Sequence, residues 1–156
     1  MEKLYIGKYV KTHGIKGEIK IKSNFKYKEK VFKKGNIIYI DNKEFIINSY
    51  RVHQEYDMVT LNGINNINDI LEYKGSNVYI NKDDLTLDKD DYLDEDLIGM
   101  NTYINNESKG KVTYIINLNK DKKLLVINNK YVPMELIKKI DFNNKKIYLE
   151  EVDGLL

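Results

Sequence analysis

Apolar and polar residues alternate with a period of two along most of the first half of the chain. Leu4–Lys11 and Glu18–Phe25 carry this pattern, with Ile19, Ile21 and Ser23 on one face and Lys20, Lys22 and Asn24 on the other. Between them Thr12-His-Gly-Ile-Lys-Gly17 reads as a glycine-punctuated turn. Asn36–Ile40 and Glu44–Ile47 flank Asp41-Asn42, a pair that tolerates positive φ and suits a hairpin. Met58–Leu61 is a further strand. The period then changes: Ile67, Ile70 and Leu71 fall at helical spacing, Asn66 can cap with Asp69 three residues on, and Gly75 can terminate. One short helix is expected there, followed by a strand at Val78–Ile80.

The remainder reads as almost wholly β. Asn105-Asn106, Asn128-Asn129 and Asn143-Asn144 separate runs of strand-forming residues, as tight hairpin turns would. Gly110–Ile116, Lys123–Ile127, Lys130–Val132 and Lys145–Leu149 are the expected strands, and Met134–Lys139 after Pro133 suits a single helical turn. Short strands at this spacing predict a barrel or sandwich. A module of roughly 60 residues is a marginal fold by itself.

The chain has 156 residues, enough for two small domains, and charge divides it unevenly. The overall formal charge is +2, but residues 1–60 carry +6, residues 83–98 carry −7 and residues 99–156 carry +3. The stretch Asp83–Asp91 has few apolar residues and strong self-repulsion, which predicts a solvated connector. The expected division is therefore a first domain at 1–82, an acidic linker at 83–95 and a second domain at 96–156. Alanine is absent and Arg51 is the only arginine, while Ile, Asn, Lys and Tyr abound. An A/T-rich coding bias produces that profile, so lysine abundance alone names no partner. Cysteine is absent, which excludes disulfides, thiolate metal sites and cysteine nucleophiles. No apolar run approaches the roughly 18 residues of a membrane span, and the start lacks a signal-peptide layout. A soluble cytoplasmic protein with no membrane partner is expected.

Catalytic chemistry finds little material. His13 and His53 are the only histidines, and no H-E-x-x-H, P-loop or G-x-G-x-x-G pattern occurs. No catalytic residue, metal or cofactor is expected. The acids of 83–96 lack calcium-loop spacing and read as a solvated segment. Tyr92-Leu93, an aromatic and an aliphatic residue among those acids, either packs inward or meets a partner. His13 and Lys16 stand at a turn, where loops carry binding function. Lys20, Lys22 and the run Lys26–Lys34 offer positions for RNA phosphates, with a solvated face as the alternative.

The ordered set of motifs resembles the ribosome maturation factor RimM family. Ile6-Gly-Lys-Tyr-Val-Lys-Thr-His-Gly-Ile-Lys-Gly-Glu-Ile-Lys20 is similar to that family's opening. Leu61-Asn-Gly63, Asp69-Ile-Leu71, Lys74-Gly75 and Val78-Tyr-Ile80 resemble the end of its first domain. Asp96-Leu-Ile-Gly99, Gly110-Lys-Val112, Tyr131-Val-Pro133, Ile140-Asp141 and Gly154-Leu-Leu156 follow in the family's order. The resemblance spans essentially the whole chain. It implies a mainly β protein of two small barrels, a translation-factor-like barrel followed by a PRC-barrel. It also implies a non-enzymatic factor that binds ribosomal protein nineteen of the small-subunit head. Such a factor assists maturation of the 3′ domain of 16S rRNA in immature 30S subunits. The family often has two tyrosines before Asp-Leu-Ile-Gly, associated with that partner. Tyr92 matches the first, and Leu93 replaces the second, keeping apolar area and losing a hydroxyl. Tyr92 and Leu93 are thus the expected protein contact, at an exposed junction, with the acids 83–96 steering a basic partner. His13, Lys16, Lys20 and Lys22 are the expected RNA or ribosome contacts, and a monomer is expected. The rival reading is a direct RNA-binding module built on the basic first strands.

Overall fold

In the computed structural model, which describes residues 1–119 and 121–156, the chain divides into two compact units, Met1–Leu87 and Asp88–Leu156. The division falls inside the acidic stretch. The segment expected as a linker is shared: Leu85 packs on the first core, whereas Tyr92 and Leu93 belong to the second unit.

The first unit is a closed six-stranded barrel. Its strands are β1 (Lys3–His13), β2 (Glu18–Lys22), β3 (Ile37–Ile40), β4 (Lys43–His53), β5 (Tyr56–Leu61) and β6 (Asn77–Asn81). They pair in the order β1-β2-β5-β4-β3-β6, and β6 returns to β1. Alternation sends Ile6, Ile19, Ile21, Ile38, Ile40, Val59, Val78 and Ile80 into the core. Burying each such side chain stabilises by about 1.5–3 kcal/mol. Two bulges break the phase of β1, one between Tyr5 and Gly7 and one between Tyr9 and Lys11. Gly7 has no room for a side chain: a Cβ there would lie 2.8 Å from Ile21 Cγ2 and from the Lys22 carbonyl.

Asp41 and Asn42 both adopt positive φ, as the hairpin requires. The helix expected around Ile67–Leu71 is instead two 3₁₀ turns, Ile67–Asp69 and Leu71–Tyr73. The Asn66 side chain accepts from Asn68 N at 2.9 Å, which tightens the first turn into 3₁₀ geometry. Among the described residues the one α-helix lies elsewhere: α1 (Lys28–Val31), inside a lysine-rich run with no helical apolar period. Tertiary contacts hold it. Val31 and Phe32 enter the core, Phe32 stacks on Tyr50 at 5.8 Å, and Lys28 Nζ lies 2.8 Å from the buried Asp57 carboxylate. The Tyr50 hydroxyl donates to the same carboxylate at 2.6 Å. Burial first, and this hydrogen bond second, push the Tyr50 hydroxyl above its ordinary range.

The second unit comprises β7 (Asn101–Ile104), β8 (Glu107–Asn119), β9 (Lys122–Ile127), β10 (Lys130–Pro133), β11 (Ile137–Asp141) and β12 (Lys146–Leu149). Their order is β10-β9-β8-β7-β12-β11, with β7 and β12 parallel. The two edge strands are joined by one 3₁₀ turn, Met134–Leu136. Four residues span about 14 Å at most, whereas the edges of a flat six-stranded sheet stand about 24 Å apart. The sheet must therefore curl until its edges approach, which gives the second barrel its form. Its core holds Leu97, Met100, Val112, Leu125, Ile127, Val132, Ile147 and Leu149. Asn105-Asn106 and Asn128-Asn129 take positive φ at both positions, while at the third turn Lys145 does so instead of the asparagines. There Asp141 accepts from Asn144 N and Nδ2, which builds a longer turn.

Candidate functional site

The first candidate surface is the outer wall of the first barrel. The bulges of β1 turn Tyr5, Lys8, Lys11 and His13 outward along a single strand. On β2, Lys20 and Lys22 share that face, opposite inward Ile19 and Ile21. Lys8 lies directly across from Lys22, and Lys11 from Lys20. Like charges so placed repel, and no carboxylate is ion-paired to any of the four among the described residues. Lys20 Nζ sits 5.2 Å from the Tyr56 ring centre. At the turn end His13 faces Glu18, and its ring lies 5.9 Å from that of His53. Glu18 accepts from Arg51 at 2.7 and 2.9 Å, which holds its carboxyl below the usual range against the opposing effect of burial.

Lys16 stands apart from Lys20 and Lys22. Gly14 and Gly17 of its turn have φ of +74° and +86°. A Cβ on Gly17 would meet Ile64 Cγ2 at 3.0 Å, so the turn is seated on the loop that follows β5. Ile67 N donates to the Ile15 carbonyl at 2.8 Å and completes the seat. Lys16 thereby lines an open groove of about 520 Å³ with Asn48, Thr60, Asn62 and Asn65. Its lining carries an ammonium and side-chain amides but no nucleophile–base pair.

The second candidate surface belongs to the second unit. Tyr92 is half-buried, its ring 5.8 Å from Phe142, and burial raises its hydroxyl above the ordinary range, with Asp94 adding to the shift. Leu93 is 8% exposed, so the exposed junction expected from the sequence does not include it. The reason is local. Asp94–Leu97 forms a 3₁₀ turn whose Asp96 carboxylate accepts from Leu93 N at 2.9 Å, and Leu97 is fully buried. Asp94 is ion-paired with Lys123 of β9, which pins the turn to the barrel. Glu95 and Asp96 face solvent.

Sequence reasoning missed the broadest apolar feature. Tyr114 of β8 and Tyr131 of β10 are both register partners of Val126 on β9. They are 50% and 59% exposed, yet Val126 between them is 2% exposed and belongs to neither core. A second row, Ile116, Leu124 and Pro133, runs beside the first on the same outer face. Leu125, Ile127 and Val132 fill the opposite, inner face. The signal was present: Leu124-Leu125-Val126-Ile127 is a continuous apolar run, the mark of a strand covered on both faces. Here only the inner face is covered by the chain's own core. With its two tyrosines exposed and Ile116, Leu124 and Pro133 partly so, this apolar face is a candidate interaction surface. No group of three or more His, Asp or Glu residues able to hold a metal ion occurs among the described residues. Among the described residues no helix is long and apolar enough to cross a membrane.

The family model described as the RimM N-terminal domain matches residues 4–85. Ribosome maturation factor RimM of Staphylococcus aureus strain bovine RF122 / ET3-1 is 34% identical over 162 aligned positions, covering 97% of each chain. The protein of the same name from strain JH9 shows the same identity and coverage. Among solved structures, a 16S ribosomal RNA processing protein RimM from Pseudomonas aeruginosa aligns at 16% identity and a TM-score of 0.42. That alignment covers 97% of this chain and 98% of the other. The N-terminal domain of RimM from Thermus thermophilus aligns at 18% identity and a TM-score of 0.48, covering 56% of this chain and 98% of that one.

Proposed function

The chain belongs to the RimM family of ribosome maturation factors, and from that premise we propose that it serves small-subunit assembly by binding ribosomal protein nineteen of the subunit head. The role is that of a cytoplasmic monomer acting on immature 30S subunits during maturation of the 3′ domain of 16S rRNA. It makes and breaks no covalent bond. The observation that carries the protein contact is the apolar outer face of β8, β9 and β10. Tyr114 and Tyr131 there offer large, rigid area with polar tips, the chemistry of interface anchors. The acidic turn of Asp94, Glu95 and Asp96 is anchored to the same strand, β9, by the Asp94–Lys123 pair, Lys123 pointing to the side opposite Leu124. Ribosomal proteins are basic, so exposed Glu95 and Asp96 raise the rate and fix the orientation of encounter. Tyr92 contributes its exposed edge. Leu93 acts from beneath, holding the turn in place rather than touching the partner.

The test is titration of the purified head ribosomal protein into the full chain, without RNA. Tyr114→Ala with Tyr131→Ala should weaken binding at least tenfold, the scale of an interface anchor. Leu93→Ala should act mainly by lowering the melting temperature. Parent-like affinity in the folded double variant would remove the outer face from the interface.

A further inference from the structure

The outer wall of the first barrel holds an aromatic row that no motif announces. Tyr5 on β1 is the register partner of Tyr79 on β6, and Tyr79 is the partner of Tyr39 on β3. The three come from positions 5, 39 and 79, yet the closure of the barrel sets them side by side. All three point away from the core, since Leu4, Ile6, Ile38, Ile40, Val78 and Ile80 on either side of them point into it. Tyr5 is 52% exposed and Tyr79 half-buried, with ring centres 5.9 Å apart at 71°. Tyr39 lies beneath, covered by Lys3, whose Nζ is 5.1 Å from its ring centre and donates to Asn42 at 2.7 Å. Glu44, opposite Tyr39, bounds the row on one side.

On the other side the row runs into the unneutralised lysines. Lys8 follows Tyr5 by three residues, about 10 Å along a strand, and is flanked by Lys22 on β2 and Asn77 on β6. The opposed pair Lys11 and Lys20 continues the positive stripe. Exposed rings beside a basic track are what single-stranded nucleic acid requires: bases stack on the π-faces while phosphates follow the ammonium groups. A duplex has its bases already stacked, so it could use the lysines but not the rings.

We propose that the β3-β6-β1 outer face is a binding platform for unpaired RNA bases, with Tyr5 and Tyr79 as the stacking surface and Lys8, Lys11, Lys20 and Lys22 as the phosphate track. The platform is a second site, in a different unit from the protein contact, and does not depend on it. It selects RNA segments that have not yet paired, the form in which ribosomal RNA exists before a subunit is mature.

The experiment measures fluorescence anisotropy of labelled oligouridylate and of an RNA duplex of equal length with the full chain. Single strands should bind more tightly than duplex. Tyr5→Leu with Tyr79→Leu keeps the apolar packing and removes the π-faces. It should weaken single-strand binding about tenfold or more while leaving duplex binding and the salt dependence unchanged. Tyr5→Phe with Tyr79→Phe should retain affinity. Lys8→Ala with Lys22→Ala should weaken both ligands and flatten the dependence of affinity on salt. Equal affinity for strand and duplex, indifference to the leucine pair, or no binding would each overturn the platform. Binding of the head ribosomal protein, measured in parallel, would be untouched by all of these variants.

Discussion

The two units solve the interior in the same way and the exterior in opposite ways. Both barrels fill their cores with alternating Ile, Leu and Val. Outside, the first shows paired lysines on β1 and β2 and a row of tyrosines across β1, β6 and β3, whereas the β8–β10 wall of the second shows apolar rows without intervening charge. Neither exterior is what folding alone would favour. Opposed lysines repel, and exposed tyrosines beside half-buried Ile116 and Leu124 leave apolar area in water. Two different departures on two modules match the two partners proposed, a polyanion for one and a protein surface for the other.

The comparison breaks most severely at an inner position. Leu125 and Val126 are neighbours on β9 that face opposite sides of the sheet. Leu125→Ala should cost about 3 kcal/mol, lowering the melting temperature of the second unit by about 10–20 °C. Tyr131→Ala, on the outer face, should move that temperature by only a few degrees. Thermal unfolding followed by circular dichroism checks both, and equal effects would mean that the outer face is part of the fold rather than a surface.

A smaller effect of opposite sign is expected on the first barrel. Lys22→Glu places a carboxylate opposite Lys8 and turns a repulsive pair into an attractive one. It should stabilise by about 0.2–1 kcal/mol while weakening RNA binding, so that stability and affinity move in opposite directions. Concerted loss of both would show that Lys22 serves the fold.

The smallest expected effect concerns pH. Glu18 is held below the usual carboxylate range by Arg51, so its contribution is complete above the unfolded value of about 4.3. That contribution fades as pH falls through the lower, folded value. Arg51→Ala should make the acid-side fall of the melting temperature shallower. An unchanged profile would mean that Glu18 and Arg51 do not interact in solution.

Period-two patterning made most strands legible, because a half-buried strand writes its inner face into every second residue. The asparagine pairs made two hairpins legible because asparagine tolerates the left-handed region. Asn101–Ile104 and Ile137–Asp141 escaped, the first a four-residue strand that also pairs in parallel with distant β12, the second an edge strand with little alternation. The helix was misplaced for a related reason. Lys28–Val31 has no periodic face and is helical only because Phe32, Tyr50 and Asp57 hold its ends, while the periodic Ile67–Leu71 is too short to exceed 3₁₀ turns.

For the surfaces, the sequence alone determined that Lys20 and Lys22 face outward and that Tyr92 and Leu93 sit among acids. Tertiary structure decided everything that depends on which strand lies beside which. It buried Leu93 under a turn, set Lys8 across from Lys22, raised Tyr114 and Tyr131 on either side of Val126, and brought residues 5, 39 and 79 into one row. A single strand's pattern records which way each side chain points, since that follows from backbone geometry within a few residues. It does not record the neighbour across the ladder, because register and closure are set by the energy of the whole sheet.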